Sequence, residues 1–198
     1  MRRDESDEQV MAAVLRGDRA ALGVLVERHH GPVLGYLYRL TGGRQLAEDL
    51  AQETFLALLR DRKAATYSPE RPFKPWLYAI ATNLARDHFK SAAARHTADE
   101  PEEALLALHD DAPGPEERAV ATEEGRRVAA ALGRLGEEYR VAVLLRFYQG
   151  LSLQEIADAL RIPLGTVKSR LSVGTRRLRD LLSCADAAEA GAEEGARR

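Results

Sequence analysis

One stretch constrains this chain more than any other: Leu151–Leu182, LSLQEIADALRIPLGTVKSRLSVGTRRLRDLL. Ser152 and Glu155 form a Ser-x-x-Glu capping box, which satisfies orphan N–H groups at a helix start. Ile156, Ala157 and Leu160 supply the apolar face of a short helix. Arg161-Ile162-Pro163 breaks it, because proline removes a donor and disfavours helical geometry in the residue before it. A second helix follows, with Val167, Leu171, Leu178 and Leu182 at helical spacing on its buried face. Lys168, Ser169, Arg170, Ser172, Thr175, Arg176 and Arg179 take the other faces. A short helix, a tight break and a cationic second helix follow the pattern of a helix-turn-helix, whose second helix enters the major groove.

A helical hairpin with a solvated basic face is the plainer alternative. Against it, Leu164–Asp180 holds Lys168, Arg170, Arg176, Arg177 and Arg179 with no acid before Asp180. A helix evolved only for solubility mixes signs to gain i,i+4 pairs. The net charge of −2 over 198 residues is unusual for a nucleic-acid binder, whose affinity comes largely from neutralising phosphates. The average conceals segregation, however. Residues 96–124 carry Asp99, Glu100, Glu102, Glu103, Asp110, Asp111, Glu116, Glu117, Glu123 and Glu124 against Arg118 alone, so distribution matters more than the sum.

The remaining chain reads as helices in series. Asp7–Arg16 is a short helix after a loose polar start at residues 1–6. Gly17-Asp18 breaks it and Asp18 caps the next. Leu22, Leu25, Val26, Val33, Leu34, Leu37 and Leu40 then form the stripe of a long helix, with a candidate kink at Gly31-Pro32 and a stop at Gly42-Gly43. Arg44–Arg60 lines one face with Leu46, Leu50, Thr54 and Leu58, widened by Ala47, Ala51 and Phe55. Glu48, Asp49, Gln52 and Glu53 cluster opposite, which reads as a solvated face, a partner surface or, least favoured for want of a histidine, a divalent-metal site. Asp61–Pro72 is a loop. Phe73–Arg95 is a helix with Trp76, Ile80 and Leu84 inward and Asn83, Arg86, Asp87 and Lys90 on the polar face. Tyr67, Phe73, Trp76, Tyr78 and Phe89 concentrate here, and aromatics beside cations can stack single-stranded bases. For any one of these aromatics core packing is the favoured role, above all for Trp76.

From Thr97 to Glu117 the composition turns acidic and proline-containing, with Leu105, Leu106 and Leu108 its one apolar cluster; this predicts a flexible linker. Val120, Val128, Ala131, Leu132 and Leu135 begin a second helical domain near Arg118. Glu137–Tyr148 follows, with Val141, Leu144, Leu145 and Tyr148 inward. The alanine- and glutamate-rich tail after Ser183 is expected to be disordered. Helical periodicities without β-branched runs predict an all-α fold: a domain over 7–95, an acidic linker over 96–117, a helix-turn-helix domain over 118–183 and a tail over 184–198. The lone cysteine, Cys184, excludes an intrachain disulfide and fits a reducing cytosol. Neither a signal peptide nor a bilayer-length apolar run is visible, so a cytoplasmic protein without direct membrane contact is expected. No metal spacing, Gly-rich phosphate loop or nucleophile–base signature occurs, so no cofactor is expected and an enzyme is remote.

This order of parts closely resembles the extracytoplasmic-function group of the sigma-70 family, promoter-specificity subunits of bacterial RNA polymerase. Ala47–Arg60 (AEDLAQETFLALLR) looks like the family's core-binding helix, and Phe73–Lys90 (FKPWLYAIATNLARDHFK) like its promoter-melting helix. GEEYRVAVLLRFYQGLSLQEIADAL and PLGTVKSRL resemble its second domain. The resemblance implies partners: core polymerase through the largest-subunit clamp helices and the flap, promoter DNA, and an anti-sigma protein. It makes Glu48, Asp49, Gln52, Glu53 and Phe55 the polymerase contacts. It assigns Tyr67, Arg71, Phe73, Asn83, Arg86, Asp87 and Lys90 to the −10 element, where an extruded base is captured. It assigns Thr166, Lys168, Ser169 and Arg170 to the −35 duplex, with Arg176 and Arg177 on phosphates. One departure stands out. Where many relatives carry a further basic residue in the recognition helix, this chain has Ser172-Val173-Gly174, so no relative's promoter sequence transfers. The rivals are a stand-alone dimeric helix-turn-helix regulator, which leaves the acidic helix and aromatic loop unexplained, and a scaffold whose basic helix binds an acidic protein.

Overall fold

Ser6 starts the first helix. Its hydroxyl accepts from the Gln9 N–H at 3.3 Å while Gln9 Oε1 accepts from the Ser6 N–H at 2.9 Å, a reciprocal cap that extends order into residues expected to be loose. The computed structural model describes residues 4–60, 67–96 and 123–196, with backbone alone at 92–96, 123 and 185–196. The predicted linker, its Leu105-Leu106 and Leu108 cluster, Val120, and the loop at 61–66 lie outside the described residues. All regular structure among the described residues is helical, and the chain divides into two bodies.

The first body contains α1 (Asp7–Leu15), α2 (Arg19–Thr41), α3 (Arg44–Ala57) and α4 (Phe73–His96). Asp18 caps α2 as expected, Oδ1 accepting from the N–H groups of Ala20 and Ala21. Gly42 ends α2 at φ 77°, a left-handed geometry that glycine adopts without a Cβ penalty. The core is Val10, Met11, Leu25, Val33, Leu37, Leu40, Leu50, Leu58, Leu77 and Ile80. One polar chain runs through it. Thr82 Oγ1 donates to the Tyr78 carbonyl at 2.7 Å, which consumes its only proton, so the Tyr36 hydroxyl must donate to Thr82 at 2.7 Å. The Tyr36 and Tyr78 rings meet edge-on at 5.2 Å. Helix α3 stops three residues before the predicted Arg60, and Leu58–Arg60 form a turn.

The second body contains α5 (Glu123–Gly133), α6 (Glu137–Val143), α7 (Leu153–Leu160) as far as Ala157, and α8 (Leu164–Ala196). Arg140 of α6 donates to the carbonyls of Gly133 and Leu135 at 2.7 and 2.9 Å, closing the end of α5; its burial lowers the guanidinium pKa. Helix α6 runs into a π turn, Leu144–Tyr148, where the Gln149 N–H donates to the Leu144 carbonyl and the Leu151 N–H to the Leu145 carbonyl. The wider turn shifts the helical phase. Tyr148, predicted inward, is therefore 38% exposed, and Phe147 is 67% exposed. Past Ser183, where a disordered tail is expected, α8 continues to Ala196, in keeping with the high helix propensity of alanine and glutamate.

Candidate nucleic-acid and polymerase interfaces

On α3, one face packs inward through Ala47, Leu50, Ala51, Thr54, Phe55 and Ala57. Buried Thr54 satisfies its hydroxyl on the Leu50 carbonyl at 2.7 Å. The opposite face leaves Asp49, Gln52 and Glu53 exposed and Glu48 half-buried. Arg44 Nε holds Glu48 at 2.9 Å and the Gln45 amide donates to Asp49 at 3.3 Å. Leu56 and Leu59 border these acids in the open, so the surface is acidic with an apolar margin. Phe55 does not belong to it. Only 6% exposed, its ring stacks on His30 at 6.1 Å, which corrects it from contact to core.

On α4, Asn83, Asp87 and Lys90 are exposed and Arg86 is half-buried. Their i, i+3, i+4, i+7 spacing puts all four on one face over roughly 10 Å of helix. Arg71 is exposed in the preceding loop. Tyr67 and Phe73 are corrected to core: they are 7% and 0% exposed, and their rings meet edge-on at 6.0 Å. Trp76, predicted to be the core aromatic, is half-buried and lies 4.8 Å from Tyr67. Leu84 is likewise half-buried. Core packing, the favoured role for any one aromatic, is what Tyr67 and Phe73 take, Phe73 lying between the rings of His29 and Tyr67, while the resemblance alone made them −10 contacts. Burial first, then the charges of Glu8 and Asp7, raise Tyr67 to about 12. Its hydroxyl stays protonated and donates to the Arg71 carbonyl at 3.1 Å.

The capping box at Ser152 and Glu155 forms, with N–H to oxygen distances of 2.7 and 3.2 Å. Arg161 then turns the chain at φ 53°, where the Ile162 N–H returns to the Ala157 carbonyl. The Pro163 carbonyl accepts from Thr166 and Val167 N–H groups, so α8 starts at once. Val167 and Leu171 are buried, while Lys168, Ser169, Arg176 and Arg177 are exposed and Thr166 and Arg170 half-buried. Helical geometry places Thr166, Arg170 and Arg177 along one flank of that open face, with Ser169 and Arg176 at its centre. The Arg177 guanidinium sits over the Tyr139 ring at 4.8 Å, a cation–π contact that limits its wandering.

Gly174, part of the departure noted above, has a structural role that sequence reasoning missed. A Cβ there would lie 3.0 Å from Val143 Cγ2 and 3.3 Å from Tyr139 Cβ. Glycine lets α8 lie directly on α6, and only a lack of side-chain volume in mid-helix signalled it. Among the described residues, no cluster of His, Cys, Asp or Glu could hold a metal ion, and no helix is long and apolar enough to cross a membrane.

These features have counterparts in known proteins. Residues 25–95 match the Sigma-70 region 2 model and residues 125–178 the Sigma-70 region 4 model. The ECF RNA polymerase sigma factor SigE of Mycolicibacterium smegmatis is 37% identical over 185 residues, covering 91% of this chain and 70% of that protein. The RNA polymerase sigma-H factor of Pseudomonas aeruginosa is 34% identical over 174 residues, covering 84% of this chain and 89% of that one. The solved structure of CnrH in complex with the cytosolic domain of CnrY matches with a TM-score of 0.66 at 26% identity, covering 90% and 97% of the two chains. With both regions present in order, and relatives of this identity matched over most of their length, the chain belongs to the ECF sigma factors of the sigma-70 family.

Proposed function

We propose that the chain docks on the clamp helices of the largest polymerase subunit through Asp49, Gln52 and Glu53. Glu48, held by Arg44, shapes that surface, and Leu56 and Leu59 add apolar area beside it. Arg71, Asn83, Arg86, Asp87 and Lys90 take the unpaired non-template strand of the −10 element, and capture of an extruded base offsets the cost of unstacking. Phe55, Tyr67 and Phe73 support these faces from within. Thr166, Lys168, Ser169 and Arg170 read the −35 duplex in the major groove, with Arg176 and Arg177 on phosphates. The observation that carries this reading is the pair of open faces on one body, acidic on α3 and polar on α4.

The domain limits follow: residues 7–95 for polymerase and the −10 element, 118–183 for the −35 element and the flap, and 96–117 as a linker passing near the polymerase channel. The protein performs no chemistry of its own and works in the cytoplasm, where its polymerase is. An anti-sigma protein is the expected regulator; the similar CnrH, solved with the cytosolic domain of CnrY bound, supports a protein partner for such a chain.

Transcription in vitro with core polymerase, with and without this chain, tests the proposal: promoter-specific initiation should appear only with it. Core alone and core plus chain giving the same transcripts on every genomic template would end the reading. Reversing charge with Asp49→Lys and Glu53→Lys should weaken core binding by roughly tenfold or more while circular dichroism stays helical. Unchanged holoenzyme assembly would remove the acidic face from the contact.

A further inference from the structure

Glu8 lies on α1, outside both faces described above, yet its carboxylate reaches the start of α4. The Phe73 N–H donates to Glu8 Oε1 at 3.0 Å, across 65 positions of chain. Phe73 opens α4, so this N–H is one of the few in the helix that no helical carbonyl can accept. The adjacent Asp7 is anchored on α2, by Arg28 and by His29, each at 2.7 Å. The His29 ring in turn lies 5.4 Å from that of Phe73. From there Phe73 leads to Tyr67 at 6.0 Å and Trp76 at 5.9 Å, and the Tyr67 hydroxyl to the Arg71 backbone. The segment from Tyr67 to Phe73 is thus tied at its start, near its middle and at its end, and the last tie is an acid from another helix.

We propose that Glu8 is a positioning residue for opening of the −10 region: by holding the Phe73 N–H, it fixes the segment from Tyr67 to Phe73 in the geometry that receives the displaced strand. The proposal rests on the reading of that segment and α4 as the −10 surface. A site that traps an unpaired base gains from a backbone held ready, because ordering it during capture would draw on binding energy. Glu8 makes no contact with DNA or polymerase in this account; it acts through Phe73.

Glu8→Ala, Glu8→Gln and Glu8→Asp holoenzymes, assembled from full-length chain and core polymerase on the promoter the wild type selects, provide the test. Glutamine keeps an acceptor at the same reach, whereas aspartate keeps the charge but is one methylene short. Strand opening, followed by fluorescence of 2-aminopurine placed in the −10 element, should slow roughly tenfold in Glu8→Ala and nearly as much in Glu8→Asp, the effect of losing one charge-assisted hydrogen bond. Glu8→Gln should stay near wild type, and core affinity should be the same in all. Should Glu8→Ala fail to fold, the contrast between aspartate and glutamine decides alone. A role confined to fold stability would lower melting temperature but leave opening at wild-type rate below the melt, and that result overturns the proposal. Slow opening in Glu8→Gln with normal opening in Glu8→Asp also overturns it, since charge rather than the hydrogen bond would then matter. Asn83→Ala and Lys90→Ala on the same template report on the −10 reading itself. Normal opening in both removes that reading and the proposal with it; slow opening in them with normal opening in the Glu8 variants removes the proposal alone.

Discussion

The Phe73 hydrogen bond gives Glu8 a signature in pH. Chiefly because of that N–H, its pKa falls below the ordinary 4.5, against an opposing contribution from burial. The unfolded chain therefore binds the proton more readily than the folded one. The stabilising contribution is fully present above the unfolded value and disappears as pH falls through the lower folded value. Between about pH 5 and pH 3, wild type should lose melting temperature faster than Glu8→Gln, which has no proton to take up there. Parallel decline of the two would mean that the carboxylate is not engaged in solution. Legibility at this scale was uneven. Asp18, Gly42, Ser152 and Glu155 could be assigned from local chemistry because each acts on backbone within a few positions of itself. Glu8 could not, because its partner is 65 positions away. The aromatics failed for a related reason. Helical period places Trp76 on the inner stripe, but His29 of α2 packs on Phe73 and Phe73 on Tyr67, and burial follows those tertiary contacts.

Among the elements, α6 and α8 show where pattern and structure part. The i, i+3, i+4, i+7 arrangement that placed Tyr148 inward assumes an unbroken α-helix, and the π turn at Leu144–Tyr148 breaks that assumption. No residue type in LLRFY announces such a turn. Ser6-Asp7-Glu8-Gln9 carries a Ser-x-x-Gln cap that the reading of residues 1–6 as a loose start passed over. The alanine- and glutamate-rich end of α8 shows composition pointing both ways: the same residues that suit a disordered tail also have high helix propensity. Gly174 yields a test. Gly174→Val should push against Val143 and Tyr139 and cost about 1–3 kcal/mol by overpacking, lowering the melting temperature of the second body by several degrees. Gly174→Ala should fall between it and wild type, since about 1 kcal/mol of helix propensity is gained against a smaller clash. A Gly174→Val protein melting at or above wild type would show that α8 need not lie so close to α6.

Across the whole molecule, charge is the property that a sum misrepresents. The net value of −2 belongs to a chain whose acids cluster on α3 and in residues 96–124 and whose cations cluster on α8. If α8 binds duplex DNA as proposed, affinity should depend on its local charge and be largely indifferent to the total. The logarithm of −35 duplex affinity, plotted against the logarithm of salt concentration, should fall with a slope set by the phosphates neutralised. Arg176→Ala and Arg177→Ala should each flatten that slope by about 0.9 and weaken all sequences alike. Ser169→Ala carries no charge change, so it should leave the slope alone and alter preference among base substitutions. Arg177 is the sharper of the two arginine tests, because its place over the Tyr139 ring fixes where its charge lies. Tyr139→Leu should then weaken binding without changing the slope, since the charge remains and only its ordering is lost. Slopes unchanged in both arginine variants would move the phosphate contacts off this face and leave the recognition helix with base contacts alone.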